Sequence, residues 1–180
     1  SSIKGNGEGP TSPYALQKMT TEIETRLYSE LYDLDTVSLR YFNVYSEDQP
    51  ANGPYATAIC NWMQYIRDKK DPFITGDGNQ RRDMLHVDDA VSANIFAMNS
   101  DKDFNGKNYD VGTGDNVSLN EIKEVIELLH PDINFEFREN RPNEVASTKA
   151  DIYPLKKLGW QTEISIKKGI FRCFKQLQKA

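Results

Sequence analysis

Cysteine, positive charge and long apolar runs are all scarce in this sequence. The only two cysteines, Cys60 and Cys173, cannot form a disulfide framework and lack metal-ligand spacing, so we expect a reduced, cytoplasmic setting and no metal site. No apolar run approaches the roughly 18 residues of a membrane span, and we expect neither a membrane partner nor a signal peptide. The net charge of -5 argues against a nucleic-acid partner, because binding to phosphate backbones requires a basic surface.

The composition and the apolar periodicity of the sequence predict a globular α/β chain. Hydrophobic residues make up 38% of the 180 residues and charged residues 27%, which is enough for one core or for a large part of a bigger enzyme. Apolar periodicity predicts strands that alternate with helices. The predicted helices span residues 12–32, 55–69, 88–98, 119–129, 151–158 and 166–177, and the predicted strands span 36–42, 72–75, 82–87, the segment ending at 109–112, and 134–138.

Capping residues support several of these boundaries. Ser12 is a predicted N-cap with proline at the next position, and Ser118 begins a capping box that Glu121 completes. Asp88 or Asp89 is expected to cap the helix that follows the strand at 82–87. Residues 36–42 are expected to form a buried strand, and residues 43–54 are expected to form a loop.

Tyr14 and Lys18 form the first chemical motif. They lie four residues apart at the start of a predicted helix, so their side chains share one face. An ammonium beside a phenol stabilises the phenolate, which can then remove a proton from a hydroxyl group. Taken alone the spacing is common, and a surface Tyr–Lys pair is the alternative interpretation.

Further motifs follow in a fixed order, and together they carry a resemblance. The segments are SPYALQK (12–18), LRYFNVY (39–45), GDGNQRRDMLHVDDA (76–90), YDVGTGDNVSLNEI (109–122), RPNEV (141–145) and KKLGW (156–160). In these segments the chain resembles the extended short-chain dehydrogenase/reductase superfamily, and within it the NAD-dependent nucleotide-sugar epimerases and dehydratases. It is most similar to the UDP-glucose and UDP-N-acetylglucosamine 4-epimerases.

The resemblance implies a fold, a cofactor and a catalytic group. Residues 1–50 would be the C-terminal part of a Rossmann-like NAD-binding domain, and residues 51–180 mainly a smaller mixed α/β substrate-binding domain, with some segments returning to the first. Tyr14 would be the catalytic base, and Lys18 would assist it and bind the nicotinamide ribose of NAD. Tyr41 and Val44 would lie near the nicotinamide.

The resemblance also implies the positions of the substrate, a UDP-sugar or a related nucleotide sugar. Asn43, Arg82 and Arg141 would contact the diphosphate, which the planar guanidinium fork of arginine matches. Glu144 would accept hydrogen bonds from the ribose hydroxyls. Phe73 and Thr75 would line the uracil pocket, and the sugar-nucleotide site would also include Thr57, Ala58 and Trp62. Core packing and solvated ion pairs are the alternative interpretations of these residues.

Two departures from the family pattern limit what the resemblance implies. The glycine-rich strand–turn–helix that holds the cofactor pyrophosphate is not in this sequence, and we expect it to belong to a preceding segment. The catalytic serine or threonine of the family has its counterpart in Ser2, or in Ser1, if the connecting loop is shorter in this chain; otherwise that residue belongs to the preceding segment. His86 and His130 are expected to be structural, and Arg81 is one residue away from the position that matches the family arginine.

These features lead to one leading function and two alternatives. We expect part of a nucleotide-sugar 4-epimerase that is a homodimer in its intact form, with the helix that carries Tyr14 in the dimer interface. A dehydratase, decarboxylase or reductase of the same family is the first alternative. A catalytically silent module that binds a nucleotide sugar is the second.

Overall fold

The computed structural model describes residues 9–10, 12–51, 56–140 and 144–179. Strands and helices alternate along this part of the chain, which confirms the α/β class. The helices are α1 (Pro13–Tyr32), α2 (Ala58–Arg67), α3 (Val87–Met98), α4 (Leu119–Leu129), α5 (Tyr153–Leu158) and α6 (Ile166–Lys175), which a short 3-10 turn, Gln176–Lys179, extends. The strands are β1 (Val37–Tyr41), β2 (Val44–Tyr45), β3 (Phe73–Thr75), β4 (Arg81–Arg82), β5 (Leu85–His86), β6 (Lys107–Val111), β7 (Val117–Ser118) and β8 (Glu136–Arg138).

The strands of the described part pair two by two, and three of the four pairs are parallel. The longest pair joins β1 to β6 over five residues, from Val37 opposite Lys107 to Tyr41 opposite Val111. The pairs β2–β5 and β3–β8 are also parallel, and β4–β7 is antiparallel. Asn43 adopts a positive φ of 36° between β1 and β2, a conformation that asparagine tolerates better than most residues. This turn carries the chain from the first pair to the second.

Two apolar clusters hold these elements together. The larger one joins α2, α4 and α6 to β3, and its fully buried members include Ile59, Met63, Ile74, Ile122, Ile126, Ile170 and Phe174. The smaller one lies among β5, α3, β6 and α5 and contains Leu85, Ala93, Phe104, Val111, Leu155 and Trp160. In the described part, no helix is both long and apolar enough to cross a membrane.

Helix α1 lies on the β1–β6 pair without using its apolar stripe. The stripe consists of Leu16, Met19, Ile23, Leu27 and Leu31, and each of these side chains is at least 38% exposed. Only Ala15 and Glu22 of the helix are buried. Glu22 accepts two hydrogen bonds from the guanidinium of Arg40 on β1, and a third from Asn108 on β6 at 3.0 Å. Hydrogen bonds from Arg40 and Asn108 to the Glu22 carboxylate therefore attach α1 to the sheet.

Several boundary predictions were confirmed and others were wrong. Ser12 caps α1, and Ser118 and Glu121 form the predicted capping box of α4. The predicted caps of α3 were wrong, because His86 is the N-cap and accepts from the Asp88 N–H, while the two aspartates occupy the first turn. A backbone donor can be satisfied by an imidazole nitrogen as well as by a carboxylate, and sequence does not distinguish them.

Three strand predictions also needed correction. Strand β1 is half-buried rather than buried, because β6 is its one partner within the described ranges. The expected loop at 43–54 contains β2, and the strand expected at 82–87 divides into β4 and β5. Short strands of two residues carry too little periodicity to be recognised in a sequence.

Candidate functional site

A pocket of about 360 Å³ opens among α2, β3, β4 and the segment that follows residue 143. Eight of the residues that the sequence predicts to bind a nucleotide sugar line it, and they come from five separate stretches of the chain. They are Asn43, Thr57, Ala58, Trp62, Phe73, Thr75, Arg82 and Glu144. The ninth, Arg141, lies outside the described residues. Residues far apart in sequence thus surround one cavity of the size that ligand pockets have.

One wall of the pocket is built by α2 and β3. Thr57 caps α2, accepting from the Cys60 N–H, and Ala58 is the first residue of the helix. The indole N–H of Trp62 donates to the main-chain oxygen of Phe73 at 2.9 Å, and its side chain is almost fully buried. Trp62 therefore fixes the distance between the helix and the strand, and it satisfies its polar atom in doing so.

Phe73 contacts the guanidinium group of Arg138 and the ring of Tyr65. The Arg138 guanidinium lies 3.7 Å from the centre of the Phe73 ring, and Tyr65 meets the same ring edge-on at 5.8 Å between centroids. Such cation–π and edge-to-face contacts restrict the orientation of the ring. Phe73 thus presents a fixed apolar surface to the pocket.

Arg82 and Glu144 are the charged side chains among the described residues that line the pocket, and they form an ion pair. The Arg82 guanidinium is 2.6 Å from the Glu144 carboxylate, and the two side chains are 16% and 27% exposed. A second nitrogen of Arg82 donates to the main-chain oxygen of Arg81 at 2.9 Å. The pair places a cation and an anion on one side of the cavity.

The neighbouring Arg81 belongs to a different network. Its guanidinium is 2.8 Å from Glu121 and donates to Asn116, and it does not line the pocket. The Ser118 N–H lowers the pKa of the Glu121 carboxyl against an opposing effect of burial, and Arg81 lowers it further. Adjacent arginines therefore have separate roles, since side chains alternate between the two faces of a strand.

Asn43, which follows the end of β1, connects two other segments of the site. Its amide nitrogen donates to the main-chain oxygen of Asp83 at 2.6 Å and lies 3.4 Å from the Thr148 hydroxyl. Both amide hydrogens are therefore directed at protein oxygens. The same residue borders the pocket and ties together two of the segments that form it.

Sequence reasoning missed part of the lining. The additional residues are Ala56, Asn61, Tyr65, Ile74, Gln80, Met84 and Leu119. Asn61 and Tyr65 follow Ala58 at helical spacing, so the periodicity of α2 could have revealed them. Gln80 donates to the main-chain oxygen of Thr75 at 2.7 Å and closes the turn after β3, which no sequence signal indicates.

The residues predicted near NAD lie on α1 and at the carboxyl end of β1. The Lys18 ammonium is 5.7 Å from the centre of the Tyr14 ring, which is 44% exposed. The Tyr41 hydroxyl donates to Asn94 on α3 at 3.0 Å, and Val44 is half-buried in β2. Ser2 lies outside the described residues.

His86 has the geometry of a structural residue. It is fully buried; its Nδ1 accepts from the backbone at the start of α3, and its Nε2 donates to Glu47 at 3.0 Å. Arg172 on α6 also pairs with Glu47 at 2.9 Å. His130 lies at the end of α4 and contacts the main-chain oxygen of Phe174. The described residues include no group of three or more acidic, histidine or cysteine side chains that could hold a metal ion.

Known proteins are similar to this chain in sequence and in fold. Residues 2–112 match the NAD dependent epimerase/dehydratase family. A UDP-glucuronate 4-epimerase from Thermodesulfobacterium geofontis is 36% identical over 166 residues, which are 91% of this chain and 49% of that protein. The chain therefore spans about half the length of the curated relatives it matches.

Two solved structures extend the similarity to three dimensions. The UDP-N-acetylglucosamine 4-epimerase from Methanobrevibacter ruminantium M1, in complex with UDP-N-acetylmuramic acid, is 32% identical with a TM-score of 0.84, over 95% of this chain and 55% of that one. The UDP-glucuronic acid 4-epimerase from Bacillus cereus, in complex with UDP-glucuronic acid and NAD, is 26% identical with a TM-score of 0.84, over 98% and 60%. The sequence match and the shared Rossmann-like fold agree, and the chain belongs to the NAD dependent epimerase/dehydratase family.

Proposed function

We propose that this chain is the substrate-binding part of a nucleotide-sugar 4-epimerase, and that the pocket between α2 and β3 holds the nucleotide. The observation that carries the proposal is that eight residues selected from sequence line one pocket, and that one of them, Arg82, provides a cation. UDP is the nucleotide that we favour, since the two epimerase structures described above are both complexes with a UDP-sugar.

Each side of the pocket suits a different part of a nucleotide. Phe73, fixed by Arg138 and Tyr65, offers an apolar surface on which a pyrimidine ring can stack. Arg82 offers a guanidinium to the diphosphate, and Glu144 offers acceptors to ribose hydroxyls. Arg141 joins Arg82 in this proposal on the strength of its sequence motif alone. Holding the non-reacting nucleotide firmly leaves the sugar free to turn.

The residues on α1 and β1 fit a nicotinamide cofactor. At Tyr14 the exposed face presents a phenol ring whose centre is 5.7 Å from the Lys18 ammonium nitrogen, the end of β1 adds Tyr41, and the start of β2 adds Val44. Hydroxyl and ammonium groups are the donors that a ribose requires. NAD, when bound, supplies the capacity to accept a hydride from the sugar and to return it. In this proposal Lys18 would bind the nicotinamide ribose and Ser2 would donate a hydrogen bond to the reacting oxygen.

Tyr14 is the proposed base for the sugar hydroxyl. Lys18 lies on the same face of the helix, one turn on, with its ammonium nitrogen 5.7 Å from the centre of the Tyr14 ring. The phenolate oxygen would take the proton from the 4-hydroxyl group and return it after the sugar has rotated. Reaction at the other face of the rotated sugar would invert the configuration at C4.

We further propose that α1 joins two copies of the intact protein. The helix leaves its apolar stripe of Leu16, Met19, Ile23, Leu27 and Leu31 exposed, and a second copy of the same stripe would cover it. The division into residues 1–50 for the cofactor and 51–180 mainly for the substrate, and the cytoplasmic location, stay predictions.

The first test is the binding of UDP to this chain by isothermal titration calorimetry. We expect saturable binding to one site, and weaker binding of uridine, which lacks the diphosphate. Binding of UDP by this chain, with no conversion of UDP-glucose or UDP-N-acetylglucosamine by the intact protein, would favour the silent-module alternative. No binding of UDP would overturn the proposed function.

The second test concerns Tyr14 and uses NMR to follow conversion of the two UDP-sugars in protein that shows turnover. We expect Tyr14→Phe to abolish conversion, because it removes the oxygen that carries the proton. Tyr28→Phe is the matched control, since Tyr28 is an exposed tyrosine on the same helix. Unchanged turnover by Tyr14→Phe would contradict the mechanism, and formation of a 4-keto product would favour a dehydratase.

A further inference from the structure

Asp83 is a fully buried carboxylate that accepts four hydrogen bonds from one surrounding nest. One oxygen accepts from the Thr113 N–H at 2.9 Å and from the Thr113 hydroxyl at 2.8 Å. The other accepts from the N–H groups of Gly114 and Ala150, both at 3.1 Å. A Cβ at Gly112 would lie 2.8 Å from the same oxygen, so this close approach requires glycine. The charge is thus fully satisfied by donors.

The main chain of Asp83 makes two further connections. Its N–H donates to the oxygen of Thr148 at 3.1 Å, and its own oxygen accepts from Asn43 at 2.6 Å. The N–H of Thr148 in turn donates to the oxygen of Arg81 at 3.0 Å. Residues 144–150 therefore run beside β4, and Thr148 in this segment is hydrogen-bonded to the main chain of both Arg81 and Asp83.

These contacts bring four segments to one residue. They are the end of β1, the segment of β4 that carries Arg82, the turn after β6, and the segment that carries Glu144. Asp83 itself does not line the pocket, whereas Arg82 and Met84 on either side of it do. Any influence of Asp83 on a ligand must therefore act through its neighbours.

A carboxylate is the side chain suited to this nest. Its two oxygens offer about four acceptor positions, whereas the amide of asparagine offers acceptors on one atom and places two donors on the other. With Asn at this position, an N–H group would face the donors of Thr113 or those of Gly114 and Ala150. The segments would separate, and Arg82 and Glu144 would no longer be held in a fixed position relative to each other.

We propose that Asp83 is a positioning residue that sets Arg82 and Glu144 for the nucleotide diphosphate and ribose by tying both segments to the carboxyl end of β6. The proposal rests on the function proposed above. It assigns to Asp83 an effect on ligand affinity in addition to any effect on folding.

The test compares Asp83→Asn with Asp89→Asn by titration calorimetry with UDP. Asp89 is a matched control, because it is equally buried, accepts two backbone hydrogen bonds at 3.0 Å from Glu163 and Ile164, and does not line the pocket. We expect Asp83→Asn to weaken UDP binding by about tenfold and Asp89→Asn to leave it within about twofold of the unchanged chain. The loss of UDP affinity caused by Asp83→Asn is expected to be smaller in the Arg82→Gln background than in the unchanged chain, because Asp83 acts in part through Arg82.

Each outcome decides the proposal. Equal UDP affinity in folded Asp83→Asn and in the unchanged chain would overturn it and leave the proposed function standing. If the unchanged chain does not bind UDP, the proposed function and the proposed role of Asp83 both fail. If Asp83→Asn does not fold, Thr113→Val decides, because it removes the hydroxyl donor at 2.8 Å, together with the contacts of that hydroxyl with the Asp115 backbone, and leaves the three backbone donors to Asp83 in place. We then expect a fall in UDP affinity of about threefold, and an unchanged affinity would overturn the proposal.

Discussion

Two consecutive arginines show how little separates a pocket residue from a surface residue. Arg82 meets Glu144 at the pocket, and Arg81 meets Glu121 at the start of α4. The two side chains have the same chemistry and differ by one position in a strand, so they leave the strand on opposite faces. The pair therefore supplies its own control for the proposed binding site.

We expect Arg82→Gln to weaken UDP binding by roughly 2 kcal/mol, because it removes a charged donor from the diphosphate. Arg81→Gln, measured in the same way, is expected to change UDP affinity by less than about 0.5 kcal/mol. Titration calorimetry measures both affinities. Equal losses in the two variants would contradict the assignment of Arg82 to the diphosphate.

A buried thiol links stability to alkaline pH. Burial raises the pKa of Cys173 to about 12, and the nearby charge of Glu47 raises it as well. The folded chain therefore favours the neutral thiol. This contribution to stability is complete below the ordinary pKa of about 9, and it declines as the pH rises from there toward 12.

The variant Cys173→Ala isolates this contribution. We expect it to be less stable than the unchanged chain at pH 8, because it leaves a small cavity. The difference between the two unfolding free energies should shrink as pH rises from 9 to 11, by at most about 1.4 kcal/mol per pH unit. Urea unfolding at each pH measures it, and a constant difference would contradict the linkage.

At the scale of the element, α1 combines an exposed apolar stripe with a buried charge. Glu22 and Arg40 are 10% and 20% exposed, and the hydrogen bonds that Arg40 donates to the Glu22 carboxylate raise the pKa of Arg40 against the effect of burial. The same helix carries a second pair, Arg26–Glu30, at 3.5 Å and more than half exposed. One helix thus offers a buried pair and an exposed pair for comparison.

We expect Glu22→Gln to lower the free energy of unfolding by about 2 kcal/mol, because it removes the closer of the two carboxylates that pair with the partly buried Arg40 and leaves only Asp110, at 3.8 Å. Glu30→Gln should cost less than about 0.5 kcal/mol, since exposed pairs of this spacing contribute little. Urea unfolding of both variants decides the matter. Similar losses in the two would show that Glu22 is not the anchor of α1.

At the scale of the whole molecule, the exposed stripe of α1 predicts association. We expect the intact protein to be a dimer in multi-angle light scattering and Leu27→Glu to shift it toward the monomer, because the charge would be buried in the proposed interface. Leu128→Glu is the control, since Leu128 is an 85% exposed leucine on α4 outside the stripe. Dissociation by both variants, or by neither, would argue against an interface at α1.

Local features of the fold were predictable because they depend on neighbouring residues. The cap at Ser12, the capping box of Ser118 and Glu121, and the course of the helices follow from residues within one turn of each other. Strands of two residues and the imidazole cap of α3 depend on distant partners, and they were therefore not predicted from the sequence. The order of the motifs indicated the family, since several of them recur together.

The sequence by itself determined the alternation of strands and helices, the family, and eight of the residues that line the pocket. Only the tertiary structure showed that those residues meet, that Arg82 and not Arg81 reaches the cavity, and that Asp83 joins the segments that carry them. It also showed that α1 is fastened by Glu22 rather than by its apolar stripe. The physical reason is that capping and periodicity act within a few residues, whereas a pocket and a buried charge are made by contacts between segments whose distance the local sequence does not encode.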